Sequence, residues 1–363
     1  MPEHASTGER TGRPLEIACD ESGSDGENLT SGNTDVFAHA GVWMPTATAA
    51  GHLLEIRDRI RSPAEEYKAN HLLREKHRPV LEWLLDPAGP LAGHARVQLI
   101  EKAFFAVTRV VELLAGGDGQ DTGDIARTLY REGRIAYGPT RWRAFLIACN
   151  DLMRGRNRWD PTTPVDSFFH MLDLLPTAGA PGQLGEIADL LRRARPRAEA
   201  YRERIFHVPE PSPVLDPLIP AIVRTVAHWS AGGRPVFLIH DRQNTLTEER
   251  LATLGETLGT AYGLTGLRLV AARSDPRVQL ADFLAGVARK IASDELNSRG
   301  DARLTALLRP FADTGPHWGD ERSEALLTSG APDGPDGAPP TLAGDPRRAR
   351  GGAGAGGVSS SSG

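Results

Sequence analysis

The sequence predicts an α/β protein: a mixed sheet flanked by helices, with a large helical insertion between the two halves of the core. Three observations carry this. Short apolar runs bounded by turn residues lie near the start, a long middle stretch has only helix-like periodicity, and a strand–helix–strand–helix succession begins after Gly232-Gly233. That last pattern implies a right-handed βαβα unit with parallel strands.

Residues 1–13 carry charge and small side chains without an apolar face, and are expected to form a disordered tail. The first half of the core, 14–92, opens with a strand from Leu15 to Asp20. A loop rich in Gly, Ser and Asn runs from Ser22 to Thr34, and Val36 to Met44 predicts a second strand, so the pair forms a hairpin with a long connection. Thr48 to Arg61 predicts a helix. Glu65 to His71 fits either a short strand or a loop, and Leu72 to Leu85 predicts a helix stopped by Asp86-Pro87.

From 93 to 232 the expectation is a helical insertion or subdomain without strands. Ala95 to Ala115 reads as one helix, with Leu99, Phe104, Val107, Val111 and Leu114 along one side and Gly116-Gly117 closing it. Ile125 to Tyr137, Arg141 to Met153, Val165 to Leu175, Leu184 to Phe206 and Val214 to Trp229 are the further helices. Arg192, Arg193, Arg195, Arg197, Arg202 and Arg204 make this block locally basic, which fits a solvated helix face or a nucleic-acid groove.

The second half of the core, 233–326, begins with four consecutive apolar residues, Val236 to Ile239, the pattern of a strand buried on both faces; it ends in His240-Asp241. Thr247 to Tyr262 predicts a helix, Leu267 to Ala271 a strand and Val278 to Ala292 a helix. Residues 327–363, rich in Gly, Ala, Pro, Asp and Ser, are expected to be a second disordered tail.

A net charge of −5 argues against coating nucleic acid by bulk electrostatics and leaves local binding open. Lysine occurs only at 68, 76, 102 and 290. No window approaches the roughly 18 consecutive apolar residues of a membrane span, and the polar start lacks a signal-peptide core. The expectations are a cytoplasmic location and no membrane partner. Cys19 and Cys149 sit among apolar residues and are expected to be small buried hydrophobes, and no cysteine cluster offers a zinc site.

The chemistry gathers around Asp20-Glu21-Ser22-Gly23. Asp20 ends the first strand and Asp241 the later buried one; if these strands are parallel neighbours, their carboxylates lie side by side. On the last helix Leu280, Leu284, Val287 and Ile291 share one stripe, and Asp282, Gly286 and Arg289 share another, so Asp282 faces away from the deepest core. Small Ala281, Ala285 and Gly286 would let that helix lie close to the sheet. Taken singly, Asp241 also fits a turn residue leading into a helix, and Asp282 a partner for Arg289.

Three converging carboxylates repel one another unless protons or cations intervene. Magnesium or manganese takes few protein oxygens, keeps several waters and adds substrate phosphate as a ligand. Two such ions would serve phosphodiester cleavage. Strand alternation puts Asp20 on the side of small Ala18 and Glu21 on the bulkier side of Ile17 and Cys19, so Asp20 is the expected ligand and Glu21 an auxiliary. Acids on a first strand, on a later parallel strand and on a terminal helix are in the order expected of a ribonuclease-H-like fold.

The segments Asp20-Glu21-Ser22-Gly23, Glu66-Tyr67-Lys68, Val236 to Asp241, and Ser274 followed by Val278-Gln279-Leu280-Ala281-Asp282-Phe283-Leu284-Ala285-Gly286 resemble the bacterial family called domain of unknown function 3800. The resemblance spans about Leu15 to Arg289. It implies a ribonuclease-H-like fold, metal-ligand roles for Asp20, Asp241 and Asp282, an auxiliary role for Glu21 and a phosphate contact for Lys68. The implied activity is a metal-dependent nuclease acting on DNA or RNA, in defence against foreign nucleic acid. The alternative is a non-catalytic module that binds nucleic acid or a protein partner. Two departures stand out. The loop after Gly23 is long and acidic, with Asp25, Glu27 and Asp35, and the place of a fourth acid has three contenders, Glu55, Glu65 and Glu66.

Overall fold

Strands β1 (Leu15–Ser22), β2 (Val36–Val42), β3 (Ala95–Glu101), β4 (Val236–Asp241), β5 (Leu264–Val270) and β6 (Ala312–Asp313) form one mixed sheet in the order β5-β4-β1-β2-β3-β6. The computed structural model describes residues 12–61, 68–116, 121–155, 162–175, 183–206, 213–231, 233–243 and 245–328. The two expected tails lie largely outside that set.

β1, β2 and β3 are an antiparallel succession, with Asp20 opposite Ala40 and Ala40 opposite Val97. On its other side β1 pairs in parallel with β4, which pairs in parallel with β5. The expected hairpin, the expected parallel pair and the expected βαβ unit are therefore all present. β5 starts three residues earlier than its apolar run, because Gly263 in the left-handed region (φ 77°) ends the preceding helix and returns the chain directly into the sheet.

The helices are α1 (Thr46–Ile60), α2 (Ala69–Leu72), α3 (Arg78–Leu85), α4 (Lys102–Ala115), α5 (Thr122–Met153), α6 (Thr162–Asp173), α7 (Leu184–Arg193), α8 (Arg195–Phe206), α9 (Leu218–Trp229), α10 (Glu248–Tyr262), α11 (Pro276–Leu296), α12 (Ala302–Leu308) and α13 (Glu321–Leu327). α5 joins two of the expected helices across a break at Gly138 (φ 66°, ψ 173°), followed by Pro139. α11 begins two residues before Val278, since Asp275 caps the Arg277 N–H at 2.9 Å and Pro276 suits the first helical position.

The helix expected over Leu72 to Leu85 begins only at Arg78, as α3, the one expected over Leu184 to Phe206 is divided into α7 and α8 at Ala194, and a third expectation is overturned. Ala95 to Glu101 is not helix but β3, a full partner of β2. Both faces of this strand are buried, so Val97 and Leu99 on one side and Ile100 on the other blur the strand alternation. No turn residue separates Glu101 from the helix that starts at Lys102.

The sheet divides two cores. Ile17, Cys19, Phe37, Val236 and Leu238 pack with α4 to α10 on one face. Val36, Ala38, Ala40 and Val42 pack with α1 to α3 and α11 to α13 on the other. Cys19 and Cys149 are both buried and free, as expected.

The long β1–β2 loop is fixed by two buried polar anchors. Lys102, fully buried, donates to Thr34 Oγ1 at 2.6 Å and pairs with Asp25 Oδ2 at 2.5 Å. The Asn150 amide accepts from Leu29 N–H at 2.7 Å and donates to the Glu27 carbonyl at 3.0 Å. Asp25 and Glu27 are thereby turned into the protein: Glu27 also accepts from Gly155 N–H at 2.8 Å. Asp35 is engaged with Ser293 and Asn297 of α11.

Candidate active site

Cys19 stands opposite His240 in the β1–β4 register, and Asp20 and Asp241 are the next residues on each strand. Parallel neighbours lie about 4.8 Å apart and in-register residues point to the same face. The two aspartates therefore share the α11 side of the sheet, above Ala18 and Ile239, which pack with Val278 of α11. α11 brings Asp282 to the same end. Asp20 is only 5% exposed. Burial, then the charges of Glu21, Asp282 and Asp241, push its carboxyl up to about 9, while a hydrogen bond from the Glu21 N–H at 2.7 Å opposes the shift. The charges of the other two expected aspartates thus reach Asp20.

Glu21 points to the opposite face, as strand alternation requires. Its Oε1 accepts from Gln243 Nε2, whereas its buried Oε2 has no hydrogen-bond partner and lies 3.8 Å from His240 Nε2. Burial raises its carboxyl to about 7 against the Gln243 hydrogen bond, with Asp241 and Asp216 adding to the rise. His240, fully buried, faces the Asp241 carbonyl through Nδ1 at 2.8 Å, a contact that only an N–H satisfies. Its Nε2 then accepts from His39 Nε2 at 3.2 Å, and His39 Nδ1 accepts from Thr225 Oγ1 at 2.9 Å. Burial keeps both rings neutral: the pKa of each lies below that of a free imidazole. A chain of hydrogen bonds thus runs from His240 through His39 into α9 beside Glu21, without including it.

Lys68 reaches the site from the start of α2, with Nζ 3.6 Å from Asp282 Oδ2. Gly286 makes this approach possible. A Cβ there would lie 2.3 Å from the Ala69 Cβ, so only glycine lets α2 settle on α11 and set Lys68 beside Asp282. Small residues on this helix thus admit α2 as well as the sheet. Arg289 donates from Nε to Ser22 Oγ at 3.0 Å, tying α11 to the end of β1. The cation beside Asp282 is Lys68.

Among the contenders for a fourth acid, Glu55 is held in an exposed pair with Arg59 on α1 at 2.7 Å, and Glu65 and Glu66 lie outside the described residues. The sequence reading missed Asp216, which adds its charge to Glu21 and is itself held by Arg250 at 3.3 Å and the Leu218 N–H at 3.1 Å. It also missed His39, whose only signal was a histidine inside an apolar strand. In the arginine block, Arg192 bonds the Leu172 and Leu175 carbonyls, Arg195 pairs with Asp166 of α6, Arg197 bonds the Leu114 carbonyl and buried Arg202 bonds the Leu152 and Arg154 carbonyls, so these four brace helices to one another.

Among the described residues, no three His, Cys, Asp or Glu side chains stand at the spacing of a ready-made metal cage. No described helix is long and apolar enough to cross a membrane. No family model, curated protein or solved structure matches the chain.

Proposed function

We propose that this chain is a metal-dependent nuclease of ribonuclease-H-like construction, hydrolysing phosphodiesters of DNA or RNA. The observation that carries the reading is the Asp20 carboxyl, which burial first, and then the charges of Glu21, Asp282 and Asp241, push up to about 9. Such a cluster is short of positive charge, and a hard divalent cation supplies it through oxygen ligands. The residues fit the ion: three aspartates offer hard oxygen ligands from two strands and a helix. The order of the acids along the chain supports the fold assignment, as does the resemblance to domain of unknown function 3800.

In this reading Asp20, Asp241 and Asp282 hold magnesium or manganese. The ion, when bound, supplies charge against the scissile phosphate and acidifies water. Lys68 places an ammonium beside Asp282, where a phosphate oxygen would sit. Glu21, held by Gln243 on the other face of the sheet, is an auxiliary that acts on the site through the charge it adds to Asp20.

The test is cleavage of labelled single- and double-stranded DNA and RNA with magnesium or manganese. Cleavage is expected in the native chain and is lost in the Asp20→Asn, Asp241→Asn double variant; cleavage that survives in that variant overturns the reading. The lack of a ready-made cage among the described residues favours one other reading, a non-catalytic module that binds nucleic acid or a protein partner. Calorimetric titration with manganese separates the two, because only the nuclease reading requires tight, carboxylate-dependent binding.

A further inference from the structure

A second polar cluster lies on the opposite face from Asp20, at the far side of the sheet. Glu21 on β1 stands opposite His39 on β2, His39 opposite Gln98 on β3, and Gln98 opposite Asp313 on β6. Gln98 is thus two strand spacings, about 10 Å, from Glu21. Arg224 of α9 donates to Gln98 Oε1 at 3.2 Å and forks onto Asp313 at 2.8 and 2.9 Å. The loop that follows β6 gives way to this guanidinium: Gly315 has φ 49°, and a Cβ on it would come within 2.3 Å of Arg224 Cζ.

Around that anchor, nitrogens are left over. Gln98 is 2% exposed and its Nε2 has no partner; the Arg224 contact to Oε1 fixes which end of the amide faces which way. His317 is 8% exposed and its Nδ1 has no partner. The Nε atoms of Arg96 and Arg109 are buried and equally unpartnered. Arg109 lies over the Phe105 ring at 4.8 Å, and that ring meets His317 edge-on at 5.5 Å, so β3, α4, α9 and the turn after β6 converge. Among the described residues, the carboxylates paired with these arginines are Asp313 and the Glu112 partner of Arg109. The surplus is felt by the imidazoles. Burial, then Arg109 and Arg224, hold His317 at about 4, and burial with Arg96 and Arg224 holds His228 at about 4 despite Asp313.

Buried donors without acceptors cost free energy, and a site with surplus positive charge satisfies them best with an anion. We propose that this junction binds a phosphate group, as inorganic phosphate or the terminal phosphate of a mononucleotide. Free nitrogens from β3, α4 and the turn after β6, beside the Arg224 guanidinium of α9, suit a tetrahedral oxyanion better than a flat carboxylate with two oxygens. The inference does not depend on the nuclease reading, since neither Asp20, Asp241 nor Asp282 takes part.

The experiment is isothermal titration of the full chain with inorganic phosphate in EDTA, at constant ionic strength, with acetate as the control anion and a nucleoside monophosphate as a second arm. Saturable phosphate binding is expected, with no binding of acetate. Gln98→Leu and Arg109→Gln should each weaken it about tenfold, the worth of one hydrogen bond to a charged group. The two substitutions lie on different elements, so if one prevents folding, as judged by circular dichroism, the other still decides. A tighter monophosphate identifies a nucleotide as the ligand, and equal affinity identifies free phosphate; either supports the site. No saturation by about 10 mM of either ligand, or affinity unmoved by both substitutions, overturns it.

Discussion

At the residue level, Asp20 carries a measurable consequence. Its carboxyl has an ordinary value of 3.8 and is raised to about 9 in the folded chain. Between about pH 4 and pH 9 the native state therefore holds a proton that the unfolded chain has released, and this contribution to stability is lost as pH rises through that window. At neutral pH the cost of the acid is on the order of 2–4 kcal/mol. Asp20→Asn keeps the shape and removes the ionisation, so in EDTA at pH 8 the variant should melt at a higher temperature than the native chain. Magnesium should raise the melting temperature of the native chain and leave the variant unmoved. A variant that melts lower in EDTA would refute the charge argument. The sequence made Asp20 legible because acids at a strand end have few uses, and alternation alone separated it from Glu21. His39 was hidden because an apolar strand tolerates a neutral, fully bonded imidazole, and Asp216 because it leads into α9 with no local pattern.

Among the elements, α11 does the most to assemble the site, and its periodicity was readable from Val278 to Ala292, short of both ends, because one stripe is apolar and the other polar. What the pattern could not show is which neighbour the small residues admit. Gly286 meets Ala69, the first residue of α2, more closely than Ser22 at the end of β1. Gly286→Ala would place two methyl carbons 2.3 Å apart and should destabilise the chain by about 1–3 kcal/mol, the usual range for overpacking. Ala69→Gly removes the opposing methyl. In a double-mutant cycle followed by thermal unfolding, the second substitution should recover more than about 1 kcal/mol of the first. Strictly additive losses would mean that α2 is not seated on α11, and the position of Lys68 would lose its support. β3 was illegible for the opposite reason: it is buried on both faces and joined to α4 without a break, so neither period stood out.

Across the whole molecule, composition and periodicity marked changes near 93 and 232, and both halves of the sheet lie outside those marks except for β3. The pattern could not reveal that the helices between them complete the sheet's core. Ile17, Phe37, Val236 and Leu238 of the sheet belong to the same apolar cluster as Phe104, Val107, Phe145, Phe168 and Ile222 of the helices. Lys102 and Asn150 fasten the β1–β2 loop to the same block. Removing residues 102–230 would therefore strip one full face of the sheet and expose a broad apolar surface, which folded monomers rarely tolerate. The shortened chain should show no cooperative thermal transition and should bind a hydrophobic dye, whereas the full chain should unfold in a single step with near- and far-ultraviolet dichroism changing together. A cooperative melt of the shortened chain would instead mark the helices as a separable insertion. The aspartates on the α11 face would then still be held by β1, β4 and α11, while His39 would lose its Thr225 partner.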